Sequence, residues 1–323
     1  MTGKSVVIAK SDERNQLKQK RGSLHEQNHH LFCLNWSHSG YRRTITEYNS
    51  MLMLVILTCA SLVGCAASNE YKMESSDYGV FIGADKDTLN TILDDSGNYE
   101  IAVIEGQEFS ADEINAVKVG NRRIYTYLNI GSLETFRPYY TDFEEDILGE
   151  YENWPDEYWI DVSNKRWQDY ISETIAGELY EKGVDGFFID NCDVYYQYKT
   201  DEIYDGLINI MERLNKYDID IIINGGNDFV SKLILDGKTA LIDGVNQEGV
   251  FSSIRDYDND VFCKQDKDET EYFTQYLDMA KKAGLDVYML EYTTDSELAK
   301  EVKAYCSREG FKYYISCTVG LDG

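Results

Sequence analysis

Past residue 62 the sequence contains no histidine: all four, His25, His29, His30 and His38, precede an apolar segment at residues 51–62. If that segment is an export signal, the mature domain has no imidazole. Ser-His-Asp and Cys-His nucleophile systems and every histidine-containing zinc site are then excluded. Proton transfer near neutral pH falls to carboxylate, Tyr, Lys or Cys. Proline is almost as scarce. Pro138 and Pro155 are the only two, both inside the irregular stretch 134–157, so no proline-rich linker divides the domain. Cysteine is sparse where it matters: Cys192, Cys263, Cys306 and Cys317 are widely spaced, with no C-x-x-C pair, which leaves room for one disulfide but not for a disulfide framework. Positive charge is in short supply too. Lys and Arg number 31 against 58 Asp and Glu, a formal charge of −27. A nucleic acid partner is held through Lys and Arg on phosphates, so it is excluded, whereas an acidic cleft would concentrate a cationic polymer. Asp256-x-Asp258-x-Asp260 starts like a calcium loop, but Val261 and Lys267 stand where glycine and glutamate are required. No phosphate-cradling glycine loop and no internal repeat occur. The chemistry therefore calls for no metal and no cofactor.

What is present begins with an address. Residues 51–65, MLMLVILTCASLVGC, form an apolar run of signal-peptide length, with Arg42 and Arg43 upstream and small residues at its end. It is short for a membrane span. Leu62-Val63-Gly64-Cys65 resembles the lipobox of bacterial lipoproteins, which implies lipidation of Cys65 and an extracytoplasmic, membrane-anchored domain. Residues 1–50 then lie outside the fold, 66–77 form a linker, and 78–323 form the domain.

From Tyr78 onward, short β-rich apolar runs alternate with amphipathic stretches, the pattern of repeated βα units on a parallel sheet. Strands are expected at 80–82, 101–104, 124–129, 158–162, 186–190, 219–224, 240–246, 287–292 and 313–317. Helices are expected at 111–119, 165–182, 202–215, 269–283 and 296–309. Nine strands without a dividing linker favour a single (β/α)₈ TIM barrel, one strand being extra.

In such a barrel the functional groups sit where strands end. The ends here are polar: Tyr127-Leu128-Asn129 through Glu134, Trp159-Ile160-Asp161, Asp190-Asn191-Cys192-Asp193 with Tyr195, Asn224-Gly225-Gly226, Asn246-Gln247-Glu248, and Glu291-Tyr292. Several acids converging on one mouth push their pKa values apart, leaving one as a general acid and another ionised. Glycosidic bond cleavage needs that pair and neither histidine nor metal. Asn129, Glu134, Asp161, Asn191, Asp193, Asn224, Gln247 and Glu291 are candidates for substrate hydrogen bonds, and Tyr127, Trp159, Tyr195 and Tyr292 for contacts with sugar rings. Each has a structural alternative, such as capping or loop bracing for the acids and core packing for the aromatics.

The segments YLNIGSLE (127–134), WIDV (159–162), GVDGFFIDNCDVYY (183–196), INGG (223–226) and NQE (246–248) together resemble the motif set of glycoside hydrolase family 114, the endo-α-1,4-polygalactosaminidase family. The resemblance implies a barrel glycosidase acting on galactosamine-containing polysaccharide, with Asp190 and Glu248 as the catalytic pair. Asp190 would be nucleophile or base, and Glu248 the acid. NQE departs from the less polar approach to the glutamate in many members. A glycan-binding surface lipoprotein without catalysis is the competing reading.

Overall fold

The computed structural model describes residues 77–95, 99–120, 122–152 and 154–322. Residues 1–76, with the apolar segment and Cys65, lie outside the described residues. The described residues form thirteen strands: β1 (Tyr78–Phe81), β2 (Ile101–Ile104), β3 (Arg123–Asn129), β4 (Ser132–Glu134), β5 (Ile147–Glu150), β6 (Glu157–Ile160), β7 (Gly186–Asp190), β8 (Asp220–Asn224), β9 (Gly244–Glu248), β10 (Ser252–Asp256), β11 (Val261–Lys264), β12 (Asp286–Tyr292) and β13 (Lys312–Ser316). Eight form one sheet in the order β1-β2-β3-β7-β8-β9-β12-β13, every paired neighbour parallel. The end strands β1 and β13 lie against each other, so the sheet curls into a nearly closed (β/α)₈ barrel.

The strands are runs of Ile, Val, Phe and Tyr buried on both faces, one against the barrel interior and one against helices, which is why they read as continuous apolar segments. The surrounding helices include Ala111–Val117, Asp201–Leu214, Lys267–Lys282, Ser296–Glu309 and a continuous helical run from Lys165 to Glu181 that passes through a π-turn at Tyr170–Ile175. Two further helices, Lys86–Asp95 and Asn227–Leu235, were not expected from the sequence.

The extra strand of the nine is the run at 158–162. It forms β6, in a separate three-stranded antiparallel sheet with β4 and β5 that is inserted after β3. A parallel strand needs a helical crossover of a dozen residues or more before it. The proline-containing stretch 134–157 instead folds as short turns and a strand that return antiparallel on their own sheet. A second insertion, the β10–β11 hairpin, follows β9. The expected strand at 240–246 begins late: Thr239–Leu241 is a 3₁₀ turn, and pairing runs from Gly244 to Glu248. The glutamate is therefore the last paired residue of its strand.

Candidate active site

Asp190 closes β7, Asn224 closes β8 and Glu248 closes β9, three consecutive barrel strands. Neighbouring strands are about 4.8 Å apart, so alternate strands hold their backbones roughly 10 Å apart. The inward lean of the side chains closes that gap. Asn224 Nδ2 donates to Asp190 Oδ1 at 3.0 Å and to Glu248 Oε1 at 2.7 Å. The two carboxylate oxygens are thus no further apart than about 5.7 Å, the sum of the two contacts. That lies near the spacing of roughly 5–5.5 Å for retaining glycosidases, and below the roughly 6.5–9.5 Å that inverting enzymes keep for water.

The orientation of the Asn224 amide is fixed by what lies below it. Its Oδ1 accepts from Asn246 Nδ2 at 2.7 Å, and Asn246 Oδ1 accepts from the Tyr78 hydroxyl at 3.1 Å. An amide whose oxygen is engaged must turn its two donors the other way, here onto the acids. Tyr78, Asn246 and Asn224 therefore form a directed chain through the barrel interior. Asn246 is two residues before Glu248 and shares its face, as strand alternation requires.

Each acid has a phenol beside it. The Tyr292 hydroxyl donates to Glu248 Oε2 at 2.7 Å, and Tyr127 hydrogen-bonds Asp190. Asp190 and Glu248 are half-buried. Burial first, then the negative charges of Glu248 and Glu157, push Asp190 up to about 8. Two carboxylates sharing one site cannot both ionise readily, so the pair tends to keep a proton near neutral pH.

A third carboxylate completes the mouth. Glu157, at the start of β6, has one oxygen, Oε1, held by Asn129 Nδ2 at 2.9 Å, Asn191 Nδ2 at 2.7 Å and the Ser132 hydroxyl. Asn191 also donates to Asn129 Oδ1 at 3.1 Å and accepts from the Tyr151 hydroxyl at 3.2 Å. This knot ties the inserted sheet to the ends of β3 and β7. It needs Gly131, because a Cβ there would collide with the Asn191 carbonyl, and Asn191 itself adopts a left-handed φ of 64°.

Of the residues expected at the site, Asp190, Glu248, Asn224, Tyr127 and Tyr292 gather around the pair, with Asn129 and Asn191 one step away. Asp193 braces the mouth from behind. Its Oδ2 accepts the Gly226 amide at 2.9 Å, holding the Gly225-Gly226 turn, in which both residues are left-handed, and burial raises it to about 6. Six others have structural partners instead. Glu134 is buried on Arg137, which also binds Glu105 at 2.7 Å. Asp161 accepts the Ser163 amide and hydroxyl in a tight turn. Trp159 is buried, stacked 4.3 Å from Tyr151. Tyr195 is buried against Tyr204. Gln247 points off the Glu248 face and accepts from Asn227 Nδ2 at 2.8 Å. Glu291 is fully buried and accepts from the amides of Phe251 and Ser252 and from the Ser252 hydroxyl. Burial brings Glu291 up to about 7, and its bonds pin the loop that leaves Glu248. Glu157, Asn246, Tyr78, Tyr151 and Ser132 were missed from the sequence. Only Asn246, at a two-residue interval from Glu248, carried a signal.

Among the described residues no cluster of His, Cys, Asp and Glu is arranged to hold a metal ion, and the four cysteines there are unpaired. No curated protein matches the chain. Among solved structures, the glycoside hydrolase domain of PelA from Pseudomonas aeruginosa superposes with a TM-score of 0.61 at 16% identity, covering 78% of this chain and 97% of that one. Aspergillus fumigatus Ega3, solved in complex with galactosamine, gives 0.59 at 14% identity, with 79% and 95% covered. An α-galactosidase from Thermus thermophilus gives 0.50 at 12%, with 73% and 57% covered. At these identities the likeness establishes a shared barrel. The model of glycoside-hydrolase family GH114 matches residues 70–321, the whole described barrel with both insertions. That match spans well over half of the sequence, and the chain belongs to glycoside-hydrolase family GH114.

Proposed function

We propose that this glycosidase cuts an α-1,4-linked, galactosamine-containing polysaccharide at internal bonds, with retention of anomeric configuration. The observation that carries the reading is the Asn224 amide shared by Asp190 and Glu248, which sets the pair at a retaining distance. Asp190 attacks the anomeric carbon as the bond to the departing oxygen breaks, and Glu248 gives that oxygen its proton. Water then attacks the glycosyl-enzyme ester, Glu248 takes the water's proton, and Asp190 leaves.

The acidity of the mouth supports an amino sugar. Of the two acids, Asp190 is the one raised, to about 8, and so the one that tends to keep a proton. An ammonium on the sugar carbon next to the anomeric centre would favour the ionised aspartate and pass the proton to Glu248, readying both groups at once. Ega3 has been solved with galactosamine bound, which supports the same class of substrate. Export through residues 51–65 and lipidation at Cys65 would hold the enzyme at the outer face of the membrane.

Purified residues 66–323 should shorten a partly deacetylated α-1,4-galactosamine polymer, with chain length falling sharply while few reducing ends have formed. Release of terminal sugars alone would reject internal cleavage. An unchanged polymer would reject the substrate.

A further inference from the structure

Two large aromatic side chains on the two insertions stand in the open, and neither is used by the mechanism above. Trp154 is 45% exposed and Tyr257 is 40% exposed, yet their rings meet edge-to-face with centroids 5.9 Å apart. They come from different insertions, Trp154 from the β5–β6 loop and Tyr257 from the tip of the β10–β11 hairpin.

Each insertion is rooted at one of the two acids. The β5–β6 loop is flanked by Tyr151 and Glu157, both of which bond Asn191, the residue after Asp190. The hairpin packs Phe262 against Tyr292 at 6.0 Å, and the Tyr292 hydroxyl is bonded to Glu248. Burial and the Glu248 charge both raise the Tyr257 phenol, so the hairpin tip lies within electrostatic reach of the same carboxylate. The two insertions therefore start on opposite sides of the Asp190–Asn224–Glu248 arc and touch at their tips.

Exposed apolar rings gathered into one patch beside a functional site mark a binding surface. The apolar C–H face of a pyranose covers such a ring well, and an ammonium on the sugar adds attraction to the π-face. Resting on the polysaccharide reading above, we propose that Trp154 and Tyr257 form an aromatic clasp that binds a sugar unit adjacent to the one being cleaved. The clasp holds long chains and contributes nothing to a substrate too short to reach it.

The test compares Trp154→Ala, Tyr257→Ala and the double variant with wild type. The substrates are the long polymer and the shortest galactosamine oligomer that wild type cleaves. The clasp predicts about a tenfold rise in KM for the polymer in each single variant, with kcat within about twofold and the short oligomer unaffected. Because the rings act together, the double variant should be little worse than either single one. Trp154→Phe should restore most of the polymer affinity. Unchanged polymer KM, or an equal loss on both substrates, overturns the clasp while leaving the polysaccharide reading in place. A wild type inactive on both substrates overturns the two together.

Discussion

Asp190→Asn and Glu248→Gln should each lower kcat by roughly 10²–10⁴-fold or more, the range contributed by a single acid, base or nucleophile, with the fold retained. Both changes are nearly isosteric. The carbonyl of Asn at 190 still accepts from Asn224, and the amide of Gln at 248 donates to the Tyr292 oxygen in place of accepting from it, so the geometry around the pair survives. On the proposed mechanism, what is lost is the charge on one group and the transferable proton on the other. Azide separates the roles in the corresponding alanine variants, assayed with an activated aryl glycoside. With Asp190 removed, azide attacks directly and gives the inverted glycosyl azide. With Glu248 removed, it attacks the ester on Asp190 and gives the retained one. If either isosteric variant keeps activity within tenfold of wild type, that residue is not a member of the pair.

The second large effect is in pH. Asp190 is raised to about 8 in the fold, against an ordinary carboxylate value of about 3.9 in the unfolded chain. Between those values the folded protein keeps a proton that the unfolded chain has released. The sign follows: this contribution to stability is complete below about pH 4 and is lost as pH rises through about 8. Asparagine at 190 carries no such dependence. The melting temperature of Asp190→Asn should therefore gain steadily on wild type from about pH 4 to 8 and level off above. A gain of a few kcal/mol corresponds to several degrees, at about 2–4 °C per kcal/mol for a domain of this size. Glu291 also titrates high, but it is common to both proteins and cancels. On the proposed mechanism the same proton governs turnover, so kcat/KM should fall as pH rises past about 8, when the pair loses its last proton. A melting difference that stays flat across this range would show that Asp190 is not perturbed. The site is held at a cost to the fold, because the burial that sharpens the chemistry also opposes ionisation.

Much of this architecture was legible because barrel strands announce themselves as apolar runs and because the acids stand at their ends. Asp190 follows Phe187-Phe188-Ile189, and Glu248 sits at even spacing from Gly244 and Asn246 on one face. The same alternation separates Gln247 from Glu248 and Glu291 from Tyr292, so strand period alone would have turned those two away from the cleft. The run at 158–162 was ambiguous because antiparallel strands of a small inserted sheet are as apolar as barrel strands over four residues. Asn224 was visible as a strand-end residue, but its role as a bridge between two acids depends on which way its amide points, and that is set by Tyr78 across the barrel. Glu157 was hidden for a related reason: it enters from an insertion, and only the fold brings it beside Asn129 and Asn191. Exposed Trp154 and Tyr257 lie 103 positions apart by residue number and look unremarkable until the two loops meet.

The most direct test of the closely spaced pair is the anomeric configuration of the first product, followed by proton NMR from the moment wild-type enzyme meets the α-linked polymer. The shared Asn224 amide predicts that the α-anomer appears first and the β-anomer only later, by mutarotation. Initial release of the β-anomer would mean that a water molecule sits between Asp190 and Glu248 in the reacting complex, and it would contradict the arrangement described.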